Sequence, residues 1–377
     1  MPDSDSEYDL IINGAGPAGS ACALAAVRAG LRTAIVERVP FPRHKVCGDC
    51  FNPSVWPVLA SLGVEDAVRS LPHTLLKRVR FVSRRGRALE LPLPPGAEYG
   101  ITRRDFDDAL LRQAVKAGAV LYAGSPVTGI TRTADSWRVV TDRHSLTARV
   151  LVAADGRNST TSRLLLPSSR SAAQTAASTR LALQCHLPLA ETYRNTVALE
   201  WTKHGYCGLA HVGGGLLNLC LVTTGKKVVE AKAEATGRYG VPTDQAWSSI
   251  APLNRAPLNP APMAGLFLTG DAARVVEPFT GEGIFYALRS GQLAAEAARR
   301  LLTSGDTGPA HAASFYASAH RMLYHRRLWV NRLARFTVTY PWAGNASLAV
   351  FRLFPQGLRW LTSKVVPETA GGAGVRK

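Results

Sequence analysis

Tyr8-Asp9-Leu10-Ile11-Ile12-Asn13-Gly14-Ala15-Gly16-Pro17-Ala18-Gly19, near the start of this 377-residue chain, is an apolar run that breaks into a glycine turn. The run suits a buried parallel strand, and the Ala-rich stretch that follows, ending near Gly30, suits a helix. Gly14 permits the tight turn, Gly16 lets the backbone approach a pyrophosphate, and Gly19 allows the helix to pack closely on the strand. The exposed helix N-terminus then attracts the anion. A second strand, Arg32-Thr33-Ala34-Ile35-Val36, ends at Glu37. An acid about twenty residues after such a turn accepts ribose hydroxyls and repels a 2'-phosphate. The glycine pattern alone also fits a loop in other α/β units; strand, helix and terminal acid together point to dinucleotide binding.

Two later segments repeat the logic of a strand running into a polar turn. They are Leu151-Val152-Ala153-Ala154-Asp155-Gly156-Arg157-Asn158-Ser159 and Leu266-Phe267-Leu268-Thr269-Gly270-Asp271-Ala272-Ala273. The pairing of the ADG-x-x-S turn with the late GDAA segment resembles the flavoprotein monooxygenase superfamily of the p-hydroxybenzoate hydroxylase type. That resemblance implies FAD, with Asp271 hydrogen-bonded to the ribityl chain. It also implies that Pro278-Phe279-Thr280-Gly281-Glu282-Gly283-Ile284 lies against the isoalloxazine ring, and that Arg103 sits near the flavin phosphates. Ala18, Arg38, Arg43, Val127, Asp155, Gly156 and Gly270 complete the expected cofactor positions. Taken singly, these features also read as an N-cap Asp, a Gly-rich turn or a solvated Arg.

Within that superfamily, Lys45-Val46-Cys47-Gly48-Asp49-Cys50-Phe51-Asn52-Pro53 and the TGEGI-x-x-A wording resemble the geranylgeranyl reductase-like subgroup over most of residues 7–300. The chain departs from it in the substrate domain. Where those reductases carry Tyr-x-Trp-x-Phe-Pro, this chain has Tyr206-Cys207-Gly208-Leu209-Ala210-His211. The Trp-x-Trp-x-Ile-Pro signature of tryptophan halogenases is missing, and no second G-x-G-x-x-G is present. NAD(P)H as reductant therefore binds without a domain of its own, as the resemblance has it.

The expected fold class is α/β, with a discontinuous Rossmann-like FAD-binding domain from residues 1–71, 100–165 and 262–305. Residues 72–99 and 166–261 form an antiparallel β-sheet substrate domain, residues 306–366 a C-terminal helical region, and residues 367–377 a disordered tail. Strands are expected at Arg78-Val79-Arg80-Phe81-Val82, Leu181 to Leu187, Thr196 to Trp201 and Leu216 to Val222, and amphipathic helices over Asp105 to Gly118 and Glu282 to Thr303.

Composition narrows the setting. No run of eighteen apolar residues occurs, which argues against a membrane-spanning helix. The acidic start, Met1 to Glu7, lacks the apolar core of a secretory signal. Six cysteines without the spacing of a secreted scaffold fit a reducing cytoplasm. The net charge of +18 is concentrated late: no carboxylate falls between Asp306 and Glu368, while Arg321, Arg326, Arg327, Arg332, Arg335, Arg352, Arg359 and Lys364 do. Trp329, Leu333, Phe336 and Trp342 lie among them. This region reads either as a helical lid with a basic outer face or as a peripheral contact with an anionic membrane. No recognition motif accompanies the charge, which argues against nucleic acid.

Catalytic candidates are His211, Tyr206 and Cys47. A histidine base would ionise a phenol for hydroxylation, with Tyr206 orienting it; a strand histidine is at least as often just hydrogen-bonded. Cys47-x-x-Cys50 reads as packing beside the flavin, as a substrate contact at Cys47, or as a redox pair. No second ligand pair follows, so no metal is expected. Arg43, Lys45 and Arg289 offer positive charge to the flavin or to NAD(P)H.

The first expectation is an NAD(P)H-dependent monooxygenase hydroxylating a lipophilic aromatic such as a phenolic polyketide or quinone precursor. The alternative is flavin-dependent reduction of an isoprenoid double bond, favoured by the CGD and TGEGI wording. A third is a non-catalytic lipid escort protein on the same fold.

Overall fold

The computed structural model describes residues 3–93, 96, 98–166, 179–253, 255–276, 281–303, 308–325 and 336. The strand Asp3–Asn13 lies in a seven-stranded sheet, paired in parallel with Thr33–Glu37 on one side and His144–Ala153 on the other. Val120–Ala123 extends the parallel set beyond Thr33–Glu37, and the short Leu266–Leu268 pairs in parallel with the end of His144–Ala153. Trp137–Thr141 and Val127–Arg132 add an antiparallel edge. The parallel strands are buried on both faces. Leu10, Ile12, Ile35, Val150, Val152 and Phe267 pack against helices, and Ile11, Ala34, Val36, Leu151 and Leu266 against Trp137 and its neighbours. That is why these segments read as unbroken apolar runs.

The helix Pro17–Arg28 starts with Pro17 in its first turn and packs against the long helix Gly283–Thr303. The two backbones approach closely: a Cβ on Gly291 would stand 2.2 Å from the Ala18 carbonyl oxygen. Helix Arg103–Lys116, two residues earlier than expected, is capped by Thr102, whose hydroxyl accepts from the Asp105 amide. Helix Gly308–His325 packs on Gly283–Thr303 and anchors through Tyr316, whose hydroxyl donates to the Leu268 carbonyl at 2.7 Å.

A second seven-stranded sheet caps this unit, in the order Ser248–Ile250, Arg180–Pro188, Leu216–Thr224, Tyr206–Val212, Thr196–Trp201, Arg78–Val82 and Ala88–Pro92. One pair departs from the expected antiparallel sheet, because Thr196–Trp201 runs parallel to Arg78–Val82. These two strands come from different insertions and are joined through the flavin-side sheet, so no hairpin dictates their direction. A small third sheet, Cys50–Phe51, Glu98–Gly100 and Thr74–Leu76, sits at the junction and draws on both expected domains.

The basic segment beyond residue 325 apart from Phe336, together with Pro278 and the expected tail over residues 367–377, lies outside the described residues. Among the described residues no helix is long and apolar enough to cross a membrane.

Candidate functional site

The three motif segments meet at the carboxyl ends of the parallel strands. Gly14, at φ +105°, lies so close to the second motif that a Cβ there would be 2.6 Å from the Ala154 carbonyl oxygen. A Cβ on Gly19 would stand 1.8 Å from the Gly14 carbonyl oxygen. Both glycines are therefore demanded by close approach, as the turn chemistry requires. Ala18 faces the third segment: a Cβ on Gly270 would be 3.2 Å from the Ala18 Cβ. Asn13 donates to Asp155 at 3.1 Å and to Thr161 at 2.9 Å, tying the end of the first strand to the second turn.

Glu37 is buried at the end of its strand and accepts from the Ala15 amide at 2.8 Å and the Val39 amide at 3.0 Å. It holds the glycine turn as well as standing where a ribose would lie. Asp155 accepts from the Thr161 amide at 3.0 Å and organises its own turn; burial raises its pKa.

Around this turn cations converge. A Cβ on Gly16 would be 3.7 Å from an Arg43 guanidinium nitrogen, and one on Gly156 would be 3.7 Å from Lys45 Nζ. Arg103 grips the buried Asp107 with two bonds of 2.6 and 2.8 Å, and Arg43 shares that carboxylate at 3.3 Å. Asp271 accepts from Arg157 at 3.1 Å, and Arg255 donates to the Arg157 and Asp271 carbonyls. Burial, with Arg103, Arg43 and Arg157 close by, pushes the Lys45 ammonium down to about 8 against the pull of Asp271. Lys45 and Arg255, both lowered by burial, thus lack the negative charge that a bound pyrophosphate would bring, and the site fits a dinucleotide on that ground.

Arg38 is exposed beyond Glu37. Arg289 is exposed and bonded to Gln292 at 2.7 Å. Val127 is half-buried against the core cluster on the sheet face opposite the first helix. Gly283 opens the late helix, with Glu282 and Ile284 buried beside it. A Cβ on Gly281 would be 4.0 Å from the Cys50 carbonyl oxygen, which puts this loop against the Cys47–Cys50 segment.

That segment is strapped to the cap. Gln184 accepts from the Cys47 amide at 3.2 Å, and Asn218 donates to the Cys47 carbonyl at 3.1 Å. Asp49, in a left-handed conformation at φ +53°, accepts from Gln184 at 3.0 Å, shares 2.7 Å with His186, and accepts from the Arg103 amide at 3.3 Å. Burial raises the Asp49 carboxyl, with His186 and then Arg103 opposing. Arg103 also hydrogen-bonds the Cys47 thiol, joining the phosphate side to the cap side. Cys47, Cys50 and Cys220 are free thiols, all pushed up by burial, and act on one another electrostatically.

The sequence reading did not single out Gln184, His186 and Asn218. Their signal was polar side chains at alternate positions of otherwise apolar strands. That alternation defines the inner face of the cap. Tyr206 is on it, packed with Trp201, Leu199, Cys220 and Val222. His211 is not. Five residues further on, it shares the outer face with Cys207 and Leu209 and accepts from the Asn195 amide at 3.0 Å. Its expected place beside a substrate is corrected by that parity.

The model of the FAD binding domain family matches residues 7–203. The chain belongs to that family. Members of the geranylgeranyl reductase group are among its relatives, as the CGD and TGEGI segments suggested. It is 29% identical over 366 residues to menaquinone reductase of Mycolicibacterium smegmatis, covering 89% of this chain and 86% of that one. It is also 29% identical over 341 residues to geranylgeranyl diphosphate reductase of Rhodobacter capsulatus, covering 79% and 77%. Among solved structures, a geranylgeranyl bacteriochlorophyll reductase-like protein of Thermoplasma acidophilum superposes with a TM-score of 0.75 at 23% identity, covering 89% and 88%. PqsL of Pseudomonas aeruginosa, described as a probable FAD-dependent monooxygenase, superposes with a TM-score of 0.73 at 17% identity, covering 91% and 100%. The protein is an FAD-dependent oxidoreductase. The glycine turn, Glu37, Arg43, Lys45, Arg103, Arg157 and Asp271 would hold the dinucleotide, which supplies hydride or oxygen chemistry that the side chains lack.

Proposed function

We propose that the protein reduces carbon–carbon double bonds in the isoprenoid chain of a lipophilic substrate, with NAD(P)H replenishing the reduced flavin. The observation that carries this reading is the chemistry at the junction of cap and flavin domain. Cys47, Asp49, Cys50, Glu98 and Cys220 cluster there, and burial drives every one toward its protonated form. Reduction of an alkene consumes a proton along with a hydride, so a proton-bearing junction suits it. The inner face of the cap adds an apolar wall from Trp201, Tyr206, Phe81 and Leu89, with Val46 of the flavin side packed against it, suited to a hydrocarbon chain. The relatives aligned over most of their length, menaquinone reductase and geranylgeranyl diphosphate reductase, support the same reading.

Hydroxylation of a lipophilic aromatic is the second reading, supported by the shared fold with PqsL. It asks for a base that ionises a phenol. The candidate His211 faces the other way, which weakens it. Oxygen separates the two. FAD-loaded protein, chemically reduced under strict anaerobiosis and mixed with menaquinone or geranylgeranyl diphosphate, is expected to yield product heavier by two hydrogens per bond. Product that forms only when oxygen is admitted, and carries an oxygen atom, would establish the hydroxylase instead.

A further inference from the structure

Glu98 is a carboxylic acid that the cofactor cradle does not use. It lies on Glu98–Gly100, the middle strand of the small sheet. The next residue, Tyr99, stacks on Phe51 at 6.0 Å and meets Trp56 edge-on at 4.7 Å, on the core side. Side chains alternate along a strand, so Glu98 projects to the opposite side. Cys50, paired with Gly100, projects there too. That side meets the cap: a Cβ on Gly100 would stand 2.1 Å from the His211 carbonyl oxygen. Cys50 in turn adjoins the Gly281 loop. Glu98 therefore occupies the seam between the flavin loop and the inner face of the cap.

Two further observations set it apart. Its Oε2 is buried and has no hydrogen-bond partner among the described residues, whereas Glu37, Asp49 and Asp107 are each held by donors. The charged and titratable groups around this seam are Cys50 and Cys47, Asp49 in the same segment, Cys220 on the cap, and the cations Arg103 and His186. Arg103 is engaged with Asp107 and Cys47 and His186 with Asp49, and burial is what shifts Glu98. Burial accordingly lifts the Glu98 carboxyl to about 7. A buried acid that keeps its proton near neutrality and has nothing to give it to is poised to give it to a ligand.

We propose that Glu98 is the proton donor to the substrate in the reduction inferred above, an assignment that rests on that reading. The alkene π bond breaks; one carbon takes the proton from Glu98 and the other the hydride that a bound reduced flavin would supply, an exchange that would leave that flavin oxidised. The Glu98 carboxylate is reprotonated from water.

The test compares wild type with Glu98→Gln and Glu98→Asp in the FAD-loaded protein. Infrared spectroscopy of the oxidised holoprotein, without substrate, is expected to show a protonated-carboxyl band near neutral pH that titrates away as pH rises and is missing in Glu98→Gln. The same variant is expected to retain flavin while anaerobic alkene reduction falls at least a hundredfold, with partial return in Glu98→Asp. A wild-type spectrum without that band at pH 6, or full reduction by Glu98→Gln, would overturn the assignment. If Glu98→Gln fails to hold flavin, Glu98→Asp and the wild-type band decide. Wild type that shows the band but reduces no isoprenoid would sink the proposed function rather than the protonated state of Glu98.

Discussion

Asp49 on the flavin side and His186 on the cap lie 2.7 Å apart, and the same carboxylate accepts from Gln184 of the cap at 3.0 Å, so one side chain carries two of the bonds that join the two units. Burial raises the Asp49 carboxyl, so its folded-state pKa stands above the unfolded one. Stability from this group is complete below the unfolded pKa and declines as pH rises through the folded pKa. His186→Ala removes the foremost opposing donor and leaves a buried acceptor with less support. The expected loss is about 1–3 kcal/mol, larger at pH 8 than at pH 4.5, read from chemical denaturation at both pH values. An equal loss at the two would remove the link between the strap and the ionisation of Asp49.

Lys45 answers to the cofactor. In protein stripped of FAD, burial and the neighbouring guanidinium groups push the ammonium down to about 8 from 10.5, so the fold disfavours its charge. The Lys45 contribution to apoprotein stability is expected to rise with pH between those values, because the unfolded chain binds the proton that the folded one releases, while the buried thiols contribute with the opposite sign. Bound pyrophosphate should flatten this dependence. Lys45→Met should remove that contribution, leaving the apoprotein less stabilised by rising pH than wild type, and weaken FAD retention roughly tenfold to hundredfold, as expected for one charge-assisted contact. Thermal melts with and without FAD, together with flavin titrations, check both.

The cradle was legible because it rests on local chemistry. Gly14, Gly19 and Glu37 act through turns, close approach and a strand end, each of which leaves a mark in a short window of sequence. The strap was not legible, because Gln184, His186 and Asn218 reach Asp49 and Cys47 only after strands more than 130 residues apart are brought together. Strand direction was lost for the same reason at Thr196–Trp201, where the partner arrives from another insertion. His211 fell to a single step of parity: at a period of two, one residue decides which face a side chain joins.

His211 supplies a direct check of that parity. It accepts from the Asn195 amide on the outer face of the cap, and burial and Arg194 lower its pKa. His211→Ala is expected to cost about 1 kcal/mol for the lost bond. Turnover and its pH profile should be unchanged. A profile that loses a limb in the variant would return His211 to the chemistry and restore the hydroxylase reading.

Glu98 makes the opposite prediction for stability. Its carboxyl stands at about 7 in the fold against 4.5 for an unperturbed side chain. The folded state therefore holds the proton more tightly, and stability is lost as pH rises from 4.5 to 7. Each pH unit of that shift is worth about 1.4 kcal/mol, so the carboxylate costs on the order of 3 kcal/mol once ionised. Glu98→Gln removes the ionisation and keeps the shape. The variant should melt close to wild type at pH 4.5 and well above it at pH 8, even as alkene reduction collapses. A residue retained for packing would give the reverse, a variant no more stable at any pH. Stability gained where catalysis is lost is what a buried acid kept for proton transfer should yield.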